Sequence, residues 1–153
     1  MAGQGEEAVG RLKAQFGDAV VAAGAFRDQH WAVVAPAQWL TIARWLRDDA
    51  WAAYNVLLDV TGVHWPDRTP PMEVVAHLYS LTRNDVLRIK ARVADRGPIA
   101  SLTPLWQSAD WNERETFDMF GIVFEGHPDL RRILMNEDYT DYPLRKELPL
   151  FRG

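Results

Sequence analysis

The run Val86 to Val93, VLRIKARV, alternates Leu87, Ile89, Ala91 and Val93 with Arg88, Lys90 and Arg92. A period of two over that length is the pattern of a strand with one apolar and one wet face. Glu73 to Leu81, EVVAHLYSL, is a second strand-like run, and Thr82 to Asp85 is short enough to join the two as an antiparallel hairpin. The apolar face of such a hairpin has to be covered. Two covering elements are legible upstream. Glu6 to Phe16 places Val9, Leu12 and Phe16 at helical spacing ahead of Gly17, and Ala37 to Arg47 does the same with Trp39, Leu40, Ile42, Ala43 and Leu46, behind Pro36 at a first helical position. Between them, Ala19 to Ala25 and Trp31 to Ala35 flank the polar tip Arg27-Asp28-Gln29 and predict a further hairpin, while Tyr54 to Val63 predicts a strand leaving into the Pro-rich loop His64 to Pro71. Most connections are too short for helical crossovers, so the expected class is α+β: a mostly antiparallel sheet flanked by helices.

After the break at Gly97-Pro98, Ser101 to Ser108 and Trp111 to Phe120 read as two helical pieces. Asp110 with Glu113 three residues on has the form of a capping box, and Gly121 is placed as a left-handed stop. The second piece carries Glu113, Arg114, Glu115 and Asp118, of which Arg114 and Asp118 are spaced to pair with each other. One reading is a solvated helix with a single ion pair. The other is a docking surface, because Phe117, Met119 and Phe120 add aromatic and apolar bulk to the same helix. Beyond Phe124 no period survives, which divides the chain into a domain at 1–124 and an extended C-terminal segment at 125–153, either disordered or laid over a partner.

Composition narrows the chemistry. None of the 153 residues is cysteine, so there is no disulfide framework, no thiolate zinc site and no ordinary protein-held iron–sulfur cluster. The formal net charge is −4 and the basic residues are scattered, which disfavours nucleic acid as a partner. No apolar run is long enough to span a bilayer and the N-terminus has no signal-like core, so the chain is expected to stay in the cytoplasm. His127, Asp129, Asp138 and Asp141 match no metal-ligand spacing, leaving a stand-alone metal hydrolase built on His127 and Asp129 as a remote alternative; Gly126-His127-Pro128 reads equally well as a turn in which the imidazole bonds to backbone. His77 reads as a satisfied histidine of the sheet. There is no Ser/His/Asp order, P-loop or G-x-G-x-x-G. Arg131-Arg132 and Arg145-Lys146 are either solubilising charges or forks for carboxylates at an interface. Trp31, Trp39 and Trp45 suit packing, whereas Trp106 and Trp111 are candidate anchors for a partner.

The segment from Asp110 to Ile122, DWNERETFDMFGI, followed by Phe124, then GHPDLRRILM at 126–135 and Pro143-Leu144-Arg145-Lys146, closely resembles the signature of the 30 kDa subunit family of respiratory complex I, the C-subunit type of bacterial NADH-quinone oxidoreductase. LLDVTGVHWP and EVVAHLYSL extend the resemblance upstream, to about Tyr54. It implies a non-catalytic α+β subunit of the peripheral arm, packed on the 49 kDa-type subunit and close to the terminal-cluster subunit, at the cytoplasmic face of the bacterial inner membrane. It implies no cofactor in this subunit, since FMN, iron–sulfur clusters and quinone belong to partner subunits. Sister complexes, the energy-converting membrane-bound hydrogenases and those linked to F420 or ferredoxin, use an equivalent subunit. On this resemblance Glu113, Arg114, Glu115, Asp118, Phe120, Gly121, His127, Pro128, Arg131, Arg132, Pro143, Arg145 and Lys146 are interface or structural positions, none catalytic and none metal-binding. The chain departs from the family pattern at Asn136, where Pro is usual, at Tyr139 for a Trp, and at Asp141-Tyr142 for a Gly-His pair.

Overall fold

The computed structural model describes residues 3–146, so the last part of the C-terminal segment, 147–153, lies outside the described residues. A helix, α1 (Gly3–Phe16), precedes a hairpin of β1 (Val20–Phe26) and β2 (Gln29–Val34), then α2 (Trp39–Asp48), three long strands β3 (Val56–His64), β4 (Met72–Ser80) and β5 (Asp85–Val93), a short β6 (Ile99–Ala100), α3 (Ala109–Phe120) and a short β7 (Phe124–Glu125). The class is α+β as expected. Gly17 closes α1 in the left-handed region, and Arg27 and Asp28, both at positive φ, form the tight turn between β1 and β2.

The five long strands form one sheet in the order β1-β2-β5-β4-β3. Three pairings are antiparallel, but β2 and β5 run parallel, with His30 opposite Leu87 and Val33 opposite Lys90. The sheet is therefore mixed. Short connections had argued against parallel neighbours, yet the path from β2 to β5 contains α2 and the whole β3–β4 hairpin, which is ample for a crossover. β6 and β7 form a separate parallel pair.

Alternation along β4 and β5 decides the core. Met72, Val74, Ala76, Leu78, Leu87, Ile89, Ala91 and Val93 point to one face and are buried with Leu12 of α1 and Trp39, Ile42 and Leu46 of α2. The opposite face carries Arg88, Lys90 and Arg92. There Trp31, read from sequence as a packing residue, stacks under the Lys90 ammonium, 5.0 Å from its ring centroid. His77 sits on the same face as a satisfied sheet histidine: its Nε2 accepts from Arg88 Nε at 2.9 Å, which leaves Nδ1 to donate to Asp59. Arg83 stands over the rings of Trp51 and Tyr54, 4.1 and 4.8 Å from their centroids, and Arg11 of α1 stands 4.2 Å from the Trp51 centroid. Burial and the hydrogen bond to Asp85 push the Tyr54 phenol well above its ordinary value.

Of the two sheet edges, β3 is sealed by side chains. Trp106 Nε1 donates to the Asn55 carbonyl at 3.1 Å and Ser108 Oγ to the Leu57 carbonyl at 3.3 Å, and Thr116 Oγ1 lies 3.2 Å from the Val60 carbonyl, so α3 and the segment before it occupy that edge. Gly62 lets α3 come this close, since a Cβ there would lie 2.9 Å from the Phe120 ring. Two sequence expectations fail here. Ser101 to Ser108 is not a helix: Pro104 and the side-chain bond between Ser101 and Thr103 leave one turn, with Trp106 N–H on Leu102 at 3.1 Å. Trp106 is core rather than an exposed anchor.

Candidate interaction site: a strap along α3

α3 begins at Ala109, one residue before the expected cap, and Ser108 at its N-cap makes no capping bond: its backbone is itself helical (φ −60°, ψ −21°) and its side chain is turned to the Leu57 carbonyl of β3. The predicted capping box does not form. Glu113 instead reaches back across the preceding loop, accepting from Leu102 N–H at 2.6 Å and from the Ser101 hydroxyl at 2.7 Å while fully buried. Burial raises its pKa, the two hydrogen bonds lower it and the Asp110 charge raises it again, for a net rise to about 7. A solvated helix is thereby excluded, since Glu113, Thr116 and Asp118 are all buried.

The irregular segment after β7 is tied to α3 at every turn. His127 Nδ1 accepts from the Asp129 N–H at 2.9 Å, so Nε2 is the protonated nitrogen and donates to the Asp110 carbonyl at 3.1 Å. The imidazole is buried and both nitrogens are engaged by the chain itself; among the described residues no three His, Asp or Glu gather into a metal-binding group. Pro128 lies in the exposed turn between His127 and Asp129. One helical turn on, Arg114 Nε donates to the Arg131 carbonyl at 3.3 Å, and its guanidinium stands 5.9 Å from the Trp111 ring centroid. One further turn on is Asp118. Its Oδ2 accepts from the N–H groups of Ile133, Leu134 and Met135 at 3.2, 2.8 and 2.9 Å, and its Oδ1 takes Arg132 Nη1 at 2.7 Å. The expected Arg114–Asp118 pair does not form, because each residue is claimed by a different point of the strap.

Asp110, Arg114 and Asp118 therefore present a stripe at steps of four, and the strap from His127 to Met135 runs along that stripe from the N-terminal to the C-terminal end of the helix. It then turns back. Leu144 N–H donates to the Met119 carbonyl at 3.0 Å, Arg145 Nε to Phe120 at 2.7 Å, and Lys146 N–H to His64 Nδ1 at 2.9 Å. Arg145 also pairs with Asp95, and Arg132 Nη2 donates to the Asp141 carbonyl at 2.9 Å. The two basic pairs thus divide their work: Arg132 and Arg145 spend their forks inside this chain, while Arg131 makes an exposed pair with Asp129.

Sequence reasoning missed Tyr142. Its ring sits among three guanidinium groups, 4.8 Å from Arg145, 5.0 Å from Arg132 and 5.4 Å from Arg96, and edge-on to Phe117. Pro143, next in the chain, is half-buried. The Tyr142 ring also lies against Gly121, whose φ is +79° and whose Cβ, if present, would be 2.7 Å from Tyr142 and 2.8 Å from Arg145 Nη2. Gly121→Val is accordingly expected to cost about 2 kcal/mol or more in denaturant unfolding, by backbone strain and by displacing the strap. Gly121→Ala, with the smaller branch, should fall between; equal stability of all three proteins would contradict the close approach.

Fold and site together define an α+β domain that carries a C-terminal strap anchored by side chains along one helix. Known proteins of this kind bear on the chain directly. Residues 32–152 match the family model of the respiratory-chain NADH dehydrogenase 30 kDa subunit. The chain is 45% identical over 141 residues to the NADH-quinone oxidoreductase C-subunit of Roseiflexus sp. strain RS-1, covering 92% of this chain and 81% of the relative. It is 42% identical over 148 residues to the C-subunit of Citrifermentans bemidjiense, covering 96% and 91%. Among solved structures, a trypsin-resistant fragment of Nqo5 superposes with a TM-score of 0.70 at 26% identity over 83% of this chain and 99% of the fragment. A chain of an archaeal membrane-bound sulfane sulfur reductase superposes with a TM-score of 0.79 at 22% identity, over 96% of this chain and 86% of that one, and shares the fold.

The chain belongs to the 30 kDa subunit family of respiratory complex I. It is a subunit of NADH-quinone oxidoreductase, a membrane-associated enzyme complex of the respiratory electron-transport chain. Among the described residues no helix is long and apolar enough to cross a membrane.

Proposed function

We propose that this subunit is an assembly element of the peripheral arm, packing through α3 and its strap on the 49 kDa-type subunit and next to the terminal-cluster subunit. In this reading it supports electron transfer from NADH to quinone by fixing its partners and holds no FMN, iron–sulfur cluster or quinone itself. The coupled ion movement would belong to other subunits, and the chain would sit at the cytoplasmic face of the membrane. One observation carries this. The strap is pinned from below by the buried Asp118 carboxylate, yet it and α3 turn Leu134 (57% exposed) and Trp111 (58% exposed) outward. Large apolar groups held on a well-anchored frame are what a protein interface uses as its buried centre.

The test is recovery of partner subunits by the tagged chain expressed in place of its natural copy, extracted from membranes in mild detergent. Leu134→Asp with Trp111→Ala is expected to lower, by about tenfold or more, the recovery of the 49 kDa-type subunit while leaving the melting temperature of the isolated chain unchanged. Undiminished recovery would remove this face from the interface. Recovery of a nickel–iron hydrogenase large subunit with the unaltered chain would move it to the sister complexes.

A further inference from the structure

Resting on the assembly reading, we propose that the cleft between α3 and the edge strand β3 is a socket for a single Lys or Arg side chain of a partner subunit. The cleft, about 330 Å³, is bounded by Asp59, Val60 and Thr61 of β3, by Asn112, Glu115, Thr116, Met119 and Phe120 of α3, and by Leu144 of the strap. Its hydrogen-bonding capacity is chiefly that of an acceptor. Glu115 is exposed and makes no hydrogen bond or ion pair with any described residue. Asp59 gives Oδ1 to His77, which leaves Oδ2 for a second donor. Asn112 spends its Nδ2 on the Ser108 carbonyl at 2.8 Å, so its amide oxygen remains. Thr116 spends its hydroxyl proton on the β3 edge or on the Asn112 carbonyl. What the lining offers is two carboxylates, an amide oxygen and the Thr61 hydroxyl, which can also donate, with no Lys, Arg or His among its residues.

The complement of such a set is a group that only donates. An ammonium carries three donors and a guanidinium five, and neither accepts. The apolar part of the lining points the same way, because Met119, Phe120 and the exposed Leu144 would cover the methylene stem of a long basic side chain while its head meets Glu115 and Asp59. The rim is also continuous with the strap, since Leu144 is tied to Met119. A basic residue entering here would therefore lie beside the face carrying Leu134 and Trp111, and the pair it makes with Glu115 would fix the register of a contact that the apolar groups drive.

The experiment uses the assembled complex. With Thr61→p-benzoylphenylalanine as a photo-crosslinker in the cleft, the expected adduct is on another subunit, within a few residues of a Lys or Arg. Glu115→Lys is expected to lower recovery of the crosslinked partner by about tenfold or more and Glu115→Gln by less, both with unchanged melting of the isolated chain. The proposal is overturned by normal recovery with Glu115→Lys, by adducts confined to this chain, residues 147–153 included, by adducts on a partner segment without a basic residue, or by loss of association on chelating divalent cations. Normal recovery with Glu115→Lys alongside failure with Leu134→Asp would dismiss the socket and keep the assembly role; an unaltered chain that recovers no partner would dismiss both.

Discussion

Replacing Asp118 by alanine is expected to free the strap and to cost about 3–5 kcal/mol, the range for leaving one member of a buried ion pair without its partner. The loss is larger than one pair, because the same carboxylate satisfies the N–H groups of three successive residues, Ile133 to Met135, and Arg132 has its guanidinium largely buried. Hydrogen exchange should accelerate at 133–135 first, before any change in β4 and β5, and proteolysis should begin within the strap. Asp118→Asn keeps an accepting oxygen but loses the charge, and belongs between the two. If Asp118→Ala lowered stability by less than about 1 kcal/mol with exchange unaltered, the carboxylate would not be the anchor. Acid should mimic the mutation. Burial pushes this carboxyl up, but the Met135 N–H, the Arg132 guanidinium and the Leu134 and Ile133 N–H groups together hold it below the ordinary carboxylate range. Its contribution is therefore present above that range and is lost as pH falls through the lowered value.

Glu113 is expected to act in the opposite sense. Its pKa rises from an ordinary 4.5 to about 7 in the folded chain, so the folded state holds a proton that the unfolded chain has released. The stability this confers is complete below the unfolded value and is lost as pH rises, fully so above about 7. The difference corresponds to a decline on the order of 3 kcal/mol across that window. Glu113→Gln retains an acceptor for the Leu102 N–H and cannot ionise, and should flatten that part of the profile and leave the protein more stable than the parent at pH 8. Denaturant unfolding of both proteins from about pH 5 to 8 measures this directly. Parallel profiles would show that Glu113 is not titrating in that range. Asp118 thus costs stability in acid as its bonds to the strap are lost, and Glu113 costs stability as pH rises toward 7 because its charge is buried, on one helix five residues apart.

Much of the frame was legible without coordinates. The alternation in Val86 to Val93, the Gly17 and Gly121 stops, the Arg27-Asp28 tip and the helical spacing at Val9, Leu12 and Phe16 are local signals, and local signals survive because neighbouring residues meet whatever the rest of the chain does. The failures share a cause. Asp110 and Glu113 had the form of a capping box and Arg114 and Asp118 the spacing of an ion pair, yet all four residues were drawn to distant segments that offered better partners: His127, Leu102, Arg131 and Met135. Ser101 to Ser108 likewise lost its helix to Pro104 and to the pull of Glu113. One signal was present and unread. Charged residues recur at steps of four, at 110, 114 and 118, on a helix that also carries Trp111, Phe117 and Phe120, and such a stripe ahead of an irregular segment can be what that segment is laid along.

By itself, the sequence determined the class of fold and the family, since these follow from periodicity, from breakers and from a long, low-degeneracy string. Only the tertiary structure decided that β2 lies parallel to β5, that Trp106 is inside and Trp111 outside, and that the strap is clamped to α3 rather than loose. The physical reason is the same in each case. Strand order, exposure and the partner of a buried charge are set by which distant groups compete best for one another once water is excluded, and that competition leaves no mark on the spacing of residues along the chain.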